Sequence, residues 1–433
     1  MTTTTLPPEA AAALHPADLA ALLDRREAPA AWSVLSELPL ARRAETFGYL
    51  APATQTAVAA LAPPRALAEL VTAMDADERA DLWARLPEAA REALAPALAA
   101  AEREDIRRLA AHAAGTAGAV MTSEYAVLRP DLTARAAIEA LRGQAATKET
   151  IQVAYVLSPR RRLLGTVSLE ELVLAPAERP VAEVMRTDPP FVRAEDPAEQ
   201  AARLVARYDL AAVPVVDGGG AMVGIVTADD AMDVAEAEAT EDFEKAGGSG
   251  AGLVADLRGA GVALLYRKRA GWLVALVFAN LLSGAGIAAF EGTIAAHLSL
   301  VFYLPLLIAS AGNAGSQAAT LTVRALATGE VRLSDWGRLL GREVPVALAL
   351  GATMAAAVSA VGLWRGGPEI ALVVALTMVL VVLAGSLAGL SLPFLLDRLR
   401  LDPASASAPL VTSIADVAGV LIYFALASAV LAG

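Results

Sequence analysis

The sequence predicts a multi-domain protein: an all-α N-terminal domain, an α/β middle region made of two similar units, and an α-helical membrane domain with five spans. Three observations predict this architecture. Ala/Leu-rich runs carry charges at helical spacing up to about residue 110, a pattern repeats between residues 119 and 235, and five apolar blocks follow residue 270. A chain of 433 residues is long enough to hold these parts as separate domains.

Composition narrows the function. The formal net charge of −12 disfavours nucleic acid as a partner and favours cations. The chain has no cysteine and only three histidines, His15, His112 and His297, which form no pair at ligand spacing. A metal site would therefore use oxygen ligands, which suit Mg2+, Ca2+ or Mn2+.

The N-terminal region, residues 1–113, is expected to be a small superhelical domain. Segments such as "PADLAALLDRRE" and "ADERADLWARLPEAAREALAPALAAA" are typical of short amphipathic helices separated by prolines. The start of the chain, "MTTTTLPPEA", has neither the basic residues nor the apolar run of a signal peptide. We therefore expect the N-terminal domains to stay in the cytoplasm.

The middle region, residues 114–240, contains an internal repeat. The stretch from "MTSEYAVLRPDLTARAAIEALR" to "LLGTVSLEELV" is similar to the stretch from "MRTDPPFVRAEDPAEQAARLVARYDL" to "AAVPVVDGGGAMVGIVTADDAMDV". Met121 and Met185 open the two copies, and Gly165 and Gly224 hold equivalent places in them. The pattern resembles a tandem pair of cystathionine-β-synthase (CBS) domains, at about 119–178 and 183–240, which implies two βαββα modules.

Residues 241–269 are expected to connect this region to the membrane. The glycine-rich run at 247–252 weakens any helix there, and "LVADLRGAGVALLYRKR" fits an amphipathic helix that leads to the bilayer.

Five apolar blocks, at about 271–290, 298–323, 344–364, 370–396 and 408–431, are each long enough to cross about 30 Å of hydrocarbon. The positive charges that flank these blocks are unequally divided between the two sides of the membrane. One side has nine: Arg267, Lys268, Arg269, Arg324, Arg332, Arg338, Arg342, Arg398 and Arg400. The other side has only Arg365. The positive-inside rule then predicts a multi-pass protein of the cell (inner) membrane, with cytoplasmic N-terminal domains and the C-terminus outside.

Polar residues interrupt two of the blocks. In "GNAGSQ", Asn313 and Gln317 are four residues apart on one helix face, and either hold helices together or line a wet path. The last block contains Asp416, whose charge is costly in a bilayer. Asp416 is either a structural acid or a ligand for an ion or proton.

Acidic residues are dense between residues 195 and 245. Thirteen carboxylates face only Arg203, Arg207 and Lys245. Such a run is usually a solvated surface, but packing it against another acidic surface would require counter-ions.

Three stretches together resemble the MgtE family of magnesium channels and transporters: "PLLIASAGNAGSQAATLTVRALATGE", "DPASASAPLVTSIADVAGVLIYF" and "TADDAMDVAEAEATED". The resemblance covers nearly the whole chain in the same order, with a connecting plug helix at 241–269 and a transmembrane domain at 270–433. It implies that the protein is a homodimer in the lipid bilayer, and that it is not an enzyme. It also implies import of Mg2+ across the plasma membrane and closure by cytosolic Mg2+ bound between the N, CBS and plug regions.

The resemblance also implies which residues meet Mg2+, both as the transported ion and as the regulator. The pore positions would be Asp416, Asn313 and Gln317, together with the backbone at Ala415 and Gly419. The regulatory positions would be Asp77, Asp81, Gly118, Glu199, Asp209, Asp230, Asp233, Glu238, Glu241 and Asp242. A nucleotide at the CBS pair is compatible with the fold, but no residue of the sequence commits to it.

Other functions compete with this interpretation. A proton-coupled transporter, or one for divalent cations such as Co2+ and Mn2+, would use the same residues. An intramembrane aspartyl protease would need a second acid at the depth of Asp416, and the apolar cores contain none. A membrane-anchored nucleotide sensor would leave "GNAGSQ" and Asp416 without a role.

Overall fold

Eight short helices form the first part of the computed structural model, which describes residues 11, 13–248 and 261–431. They are α1 (Pro16–Leu23), α2 (Ala28–Glu37), α3 (Leu40–Gly48), α4 (Pro52–Leu61), α5 (Pro64–Thr72), α6 (Ala76–Arg85), α7 (Glu88–Leu94) and α8 (Ala100–Leu109). Prolines stand in the first turns of α1, α2, α4 and α5, where an absent N–H breaks no helical hydrogen bond. Successive helices share one core that includes Leu19, Phe47 and Leu70. The predicted all-α N-terminal domain is confirmed.

Two small sheets follow, with the strand orders β1-β2-β3-β4 and β5-β6-β7. The elements are β1 (Tyr125–Leu128), α9 (Ala134–Gln144), β2 (Thr150–Leu157), β3 (Leu163–Ser168), α10 (Leu169–Leu174), α11 (Val181–Val184), β4 (Arg186–Thr187), β5 (Val192–Arg193), α12 (Ala198–Tyr208), β6 (Ala212–Val216), β7 (Met222–Thr227) and α13 (Ala228–Ala246). In each sheet a parallel pair is followed by an antiparallel pair, β1·β2·β3 in the first and β5·β6·β7 in the second. The predicted pair of α/β modules is confirmed.

The segment that opens each repeat pairs with the other repeat. Thr122 forms a bridge with Ile225, and a Cβ on Gly224 would lie 2.6 Å from the sulfur of Met121. In the same way β4 joins the first sheet, and a Cβ on Gly165 would lie 3.0 Å from the sulfur of Met185. Only glycine leaves room for the methionine at both places. This exchange is absent from the sequence pattern, which assigns each methionine to its own repeat.

The chain divides into two compact units, Met1–Glu236 and Ala237–Gly433. The second contains α14 (Val262–Ala289), α15 (Glu291–Ala296), α16 (Leu304–Ala327), α17 (Trp336–Arg398) and α18 (Ala408–Leu431). α17 is broken at Gly367, where φ is +78°. Five segments of the described residues are long and apolar enough to cross a membrane: Val262–Ala289, Leu298–Ala327, Leu333–Trp364, Gly367–Arg398 and Ala408–Leu431. The predicted five-span helical domain is confirmed as an architecture.

Glycines allow α16 and the second half of α17 to pack closely. A Cβ on Gly315 would lie 2.8 Å from the carbonyl oxygen of Gly385, and Gly389 lies directly against the backbone of Gly315. Such small-residue contacts are the usual way in which membrane helices approach one another. They fix the position of α16 within the second unit.

The predicted plug helix, residues 241–269, falls in part on 249–260, which lie outside the described residues. On either side of this stretch, residues 241–246 form the end of α13 and residues 262–269 form the beginning of α14.

Candidate cation sites

Asp416 lies in the first half of α18. Its Oδ1 atom is buried and has no hydrogen-bond partner among the described residues. The preceding residue, Ala415, is buried against Ala311 and Val381. A buried carboxylate oxygen without a donor is costly. The geometry therefore leaves Asp416 with an acceptor that a hydrated or bare cation can use.

Gly419 lies one turn after Ala415 on the buried side of α18. The nearest atoms to a Cβ at this position would be Cγ1 of Ile308 at 3.9 Å and Cγ1 of Val381 at 4.0 Å. The backbone at this turn of α18 is thus not covered by a side chain of its own.

Asn313 and Gln317 are exposed, one turn apart, on a face of α16 that the described part of this chain does not cover. The buried neighbour of Asn313 is Gly312, where a Cβ would lie 2.9 Å from the methyl group of Thr412. Oγ of Ser316 lies 3.5 Å from the hydroxyl of Thr412, which precedes Asp416 by one turn of α18. The structure thus places the predicted polar groups of α16 and α18 on two helices in contact.

A second group of carboxylates lies in the first unit. We call Asp75, Asp77, Glu78, Glu149, Asp229 and Asp230 the acidic cluster. Alanines bring its two helices together, since Ala76 and Ala80 of α6 share a core with Ala231 of α13. The carboxylates in the first turns of these helices are therefore forced close to one another.

Mutual repulsion and burial change the proton affinity of the acidic cluster. Burial and the charge of Asp230 raise the pKa of Asp77 to about 7. Burial and the charges of Asp77 and Asp75 raise the pKa of Glu78 to about 8. Burial and the charges of Asp75 and Asp77 likewise raise the pKa of Glu149 to about 8. These carboxyls are easier to protonate than ordinary ones because they are buried and because other carboxylates lie near them.

Asp230 is held in place by its own turn. Burial and the charges of Asp229 and Asp233 raise its pKa to about 6, although Thr227 Oγ1 donates a hydrogen bond of 2.5 Å to its Oδ2 atom. Thr227 closes strand β7, so the strand end positions this carboxylate.

One ion pair crosses beside the acidic cluster. Arg79 of α6, which is largely buried, pairs with Glu124 ahead of β1. The backbone N–H of Glu149 donates a hydrogen bond to the carbonyl oxygen of Glu124 at 2.8 Å. The Oε2 atom of Glu149 is buried and has no hydrogen-bond partner among the described residues. Arg79 is one positive charge beside the six carboxyls of the acidic cluster, so acidic groups outnumber it among these described residues.

No three Asp, Glu or His side chains of the described residues form a ready-made metal site. The acidic cluster has the oxygen ligands and the charge that suit a hard divalent cation. Mg2+ keeps several waters when it binds, so water-mediated contacts fit these carboxylates better than a closed cage does.

The structure scatters several other residues of the predicted regulatory set. Asp81 pairs with Arg85 at 3.4 Å, and Glu199 accepts from Nε of Arg203 at 3.1 Å. The N–H of Gly118 donates to the carbonyl of Ala194 at 3.0 Å. Asp233, Glu238, Glu241 and Asp242 follow one another along α13, and Asp209 ends α12 in the left-handed conformation with φ of +51°.

The predicted regulatory set missed four members of the acidic cluster: Asp75, Glu78, Glu149 and Asp229. The dense acids of "MDADERA" are a signal for Asp75 and Glu78, and the acidic run after residue 195 is a signal for Asp229. Glu149 had no local signal, because its place depends on the parallel pairing of β1 with β2.

A cavity of about 870 Å³ opens between the two repeats of the first unit. Its lining includes the exposed ring of Tyr208 and the carboxylates of Asp188 and Asp209. Nε of Arg186, also in the lining, donates to Oε1 of Glu171 at 2.7 Å. An aromatic face beside carboxylates and a guanidinium is suited to a ribonucleotide or a molecule of similar chemistry.

Family models match three parts of the chain. Residues 304–426 match a model described as a divalent cation transporter, MgtE, residues 14–115 match the MgtE intracellular N domain, and residues 181–237 match a CBS domain.

Curated relatives match over most of the chain. The magnesium transporter MgtE of Thermus thermophilus is 38% identical over 419 residues, which are 96% of this chain and 92% of the relative. The magnesium transporter MgtE of Bacillus subtilis is 34% identical over 76% of this chain and 73% of its own length.

Solved structures match the cytosolic half. The cytosolic domain of the Mg2+ channel MgtE in complex with ATP is 35% identical with a TM-score of 0.51, covering 52% of this chain and 93% of that one. The soluble part of a magnesium transporter is 27% identical with a TM-score of 0.50, and the match covers 53% of this chain and 91% of that chain.

Proposed function

This chain belongs to the MgtE family, and from that premise we propose that it carries Mg2+ across the cell membrane through a path that Asp416 lines. The membrane helices and the cytosolic domains have the order found in that family. Import into the cytoplasm is the direction that we propose.

The observation that carries this proposal is the unpartnered Oδ1 atom of Asp416 within α18. A carboxylate in a membrane helix costs about 2.5–3.5 kcal/mol on insertion scales. A divalent cation offsets that cost, directly or through its water shell, and Asn313 and Gln317 offer further polar contacts on the adjacent helix. Ala415 and Gly419 are proposed to contribute backbone oxygen.

Mg2+ uptake into liposomes tests the proposal. We expect Asp416→Ala and Asp416→Asn to reduce Mg2+ flux or selectivity at least tenfold, because the second variant keeps the shape and removes the charge. Glu330→Gln, an exposed site after α16, is the matched control and should transport like wild type. Unchanged flux in both Asp416 variants would make this residue a structural acid.

We further propose that cytosolic Mg2+ closes the path by binding the acidic cluster together with the predicted regulatory residues. The surplus negative charge of the cluster supports this role, since a cation that binds the compact arrangement shifts the population towards it. The residues that complete this set are Asp81, Gly118, Glu199, Asp209, Asp233, Glu238, Glu241 and Asp242.

A homodimer fits the exposed polar face of α16. Asn313 and Gln317 would face a second copy or a wet path rather than lipid, and two Asp416 carboxylates would share one ion.

We propose cytoplasmic N-terminal domains and an outside C-terminus from the positive charges that flank the spans. The proposed domain limits stay at 1–113, 114–240, 241–269 and 270–433.

A proton-coupled or broader divalent transporter is the competing proposal for the same residues. A pH gradient separates the two, because a coupled transporter responds to the gradient at constant Mg2+ whereas a channel does not. Competition by Co2+ or Mn2+ measures the breadth of selectivity.

Nucleotide binding at the cavity between the repeats is a second proposed function. The ATP-bound cytosolic structure that this chain resembles supports it, as do the ring of Tyr208 and the carboxylates of Asp188 and Asp209. We expect ATP to bind the full-length protein, and Tyr208→Ala to weaken binding about tenfold through lost stacking. If calorimetry shows that Tyr208→Ala binds ATP with unchanged affinity, the nucleotide does not bind against Tyr208.

A further inference from the structure

The end of α13 contacts the segment ahead of α18 through a lysine. Nζ of Lys245 lies 2.5 Å from Glu241 on the preceding turn and also pairs with Oδ2 of Asp402. The Lys245 side chain is 21% exposed, so the pair is partly shielded from water. Asp402 lies 157 positions further along the sequence.

Asp402 in turn positions the start of the last membrane helix. Its Oδ1 atom accepts a hydrogen bond of 2.8 Å from the N–H of Ala404 and so caps the short 3-10 turn Pro403–Ser405. α18 begins three residues later and carries Asp416. The two oxygens of Asp402 thus link Lys245 to the segment that leads into this helix.

The backbone after Lys245 packs against the same region. Gly248 has φ of +72°, and a Cβ there would lie 2.7 Å from Nε1 of Trp272 and 3.3 Å from Cγ of Pro409. Trp272 belongs to α14 and Pro409 to α18, so this glycine fits where no side chain would. Residues 245–248 therefore dock on two membrane helices.

We propose that Lys245 is a positioning residue for gating. Its ammonium group holds the end of α13 against the segment ahead of α18 and so stabilises the closed state. This inference rests on the proposed function. Without the ammonium group, the carboxylates of Glu241 and Asp402 would repel each other, and only a bound cation could bring them together. Lys245 therefore lowers the concentration of cytosolic Mg2+ that closure requires.

Tracer flux tests the role of Lys245. Full-length protein is placed in liposomes with its cytosolic unit facing the lumen, as protease protection verifies, and uptake of radioactive magnesium is measured against stepped lumenal Mg2+. Lys245→Gln is expected to raise the lumenal Mg2+ for half-maximal closure about twofold to fivefold, the effect of removing a partly exposed ion pair. The maximal flux and its selectivity should stay unchanged, because Lys245 does not line the path.

Two variants keep the result specific. Lys245→Arg should restore the wild-type threshold, since it keeps the positive charge. Arg160→Gln, an exposed site in the turn between β2 and β3, removes one positive charge elsewhere and should not shift the threshold. If wild type and Lys245→Gln close at the same lumenal Mg2+ concentration, this inference is overturned and the transport proposal is left intact. A wild type that never closes overturns both the inference and the gating proposal.

A cross-link provides an independent readout. The chain contains no cysteine, so a Lys245→Cys, Asp402→Cys double variant can be joined selectively by a short bifunctional methanethiosulfonate reagent. Joining should hold flux low in Mg2+-free lumen, and a reductant should release it. Full flux in the joined protein would also overturn the proposed role.

Discussion

At the scale of single residues, the acidic cluster behaves unlike a solvated charged surface. The pKa of Glu78 is raised to about 8 by burial and by the charges of Asp77 and Asp75. A solvated carboxylate would stay near its usual value. The difference arises because the alanine contact between α6 and α13 brings several carboxylates into a partly shielded space. Repulsion between these carboxylates therefore opposes the packing of α6 against α13.

Removing one charge should relieve this opposition. We expect Glu78→Gln to slow amide hydrogen exchange in α6 without Mg2+, by roughly 1 kcal/mol of opening free energy after solvent screening. The same variant should also respond less to added Mg2+. Glu88→Gln, an exposed acid at the start of α7, serves as the control. Faster exchange in Glu78→Gln than in wild type would mean that the carboxylate stabilises this contact.

The raised pKa values also predict the pH dependence of the same contact. Glu78 and Glu149, both with a pKa of about 8, hold protons in the packed form that they release when it opens. Stability is therefore full below the ordinary value near 4.5 and is lost as pH rises towards about 8. The protection factors of the α6 amides in Mg2+-free buffer, which remove the base-catalysed rise of the intrinsic exchange rate, should be larger at pH 5.5 than at pH 8.5, and Mg2+ should narrow the gap. A contact that becomes more stable with rising pH would contradict the assignment.

At the scale of elements, the exchange of opening segments joins the two repeats into one body. Met121 packs on Gly224 of β7, and Met185 packs on Gly165 of β3. Each module thus completes its partner's sheet, and neither retains all its contacts alone. The membrane unit uses the same device, since Gly315 and Gly385 let α16 and α17 approach.

A side chain at the exchange point should be costly. We expect Gly224→Val to destabilise the protein by about 2–4 kcal/mol, because its Cβ would collide with the Met121 sulfur and the Thr122 carbonyl oxygen, 2.8 Å away. Chemical denaturation with a fluorescence readout measures the loss. Gly143→Ala, in α9 with no atom within 4 Å of the new Cβ, should be neutral or stabilising by up to about 1 kcal/mol. Equal effects from both variants would refute the steric argument.

At the scale of the whole molecule, the membrane unit leaves a polar face of α16 uncovered. Asn313 and Gln317 are exposed, although polar groups in a bilayer normally face protein or water. The proposed homodimer would cover this face with a second copy of the chain and would bring two Asp416 side chains towards the proposed ion path.

Cross-linking tests this assembly in membranes. The chain lacks cysteine, so Gln317→Cys supplies one thiol per copy, and we expect oxidation to produce a covalent dimer. Val277→Cys, an exposed site on the first span, should remain largely monomeric. A Gln317→Cys protein that stays monomeric in native membranes would place this face elsewhere than at a two-fold axis.

The sequence by itself determined the architecture and the most unusual membrane residue. Span number follows from the length and polarity of each block, and helices and strands follow from local periodicity, because these properties are set by neighbouring residues. Asp416 could be singled out because a charge in an apolar block is costly wherever the helix packs.

Only the tertiary structure decided which distant residues meet. Glu149 joins Asp77 through strand pairing, Met121 crosses to the second sheet, and Lys245 reaches Asp402 across 157 positions. No local pattern records these meetings, since each depends on which faces of separately stable elements bury apolar surface together. The acidic cluster, the exchanged segments and the Lys245 contact are consequences of packing rather than of propensity.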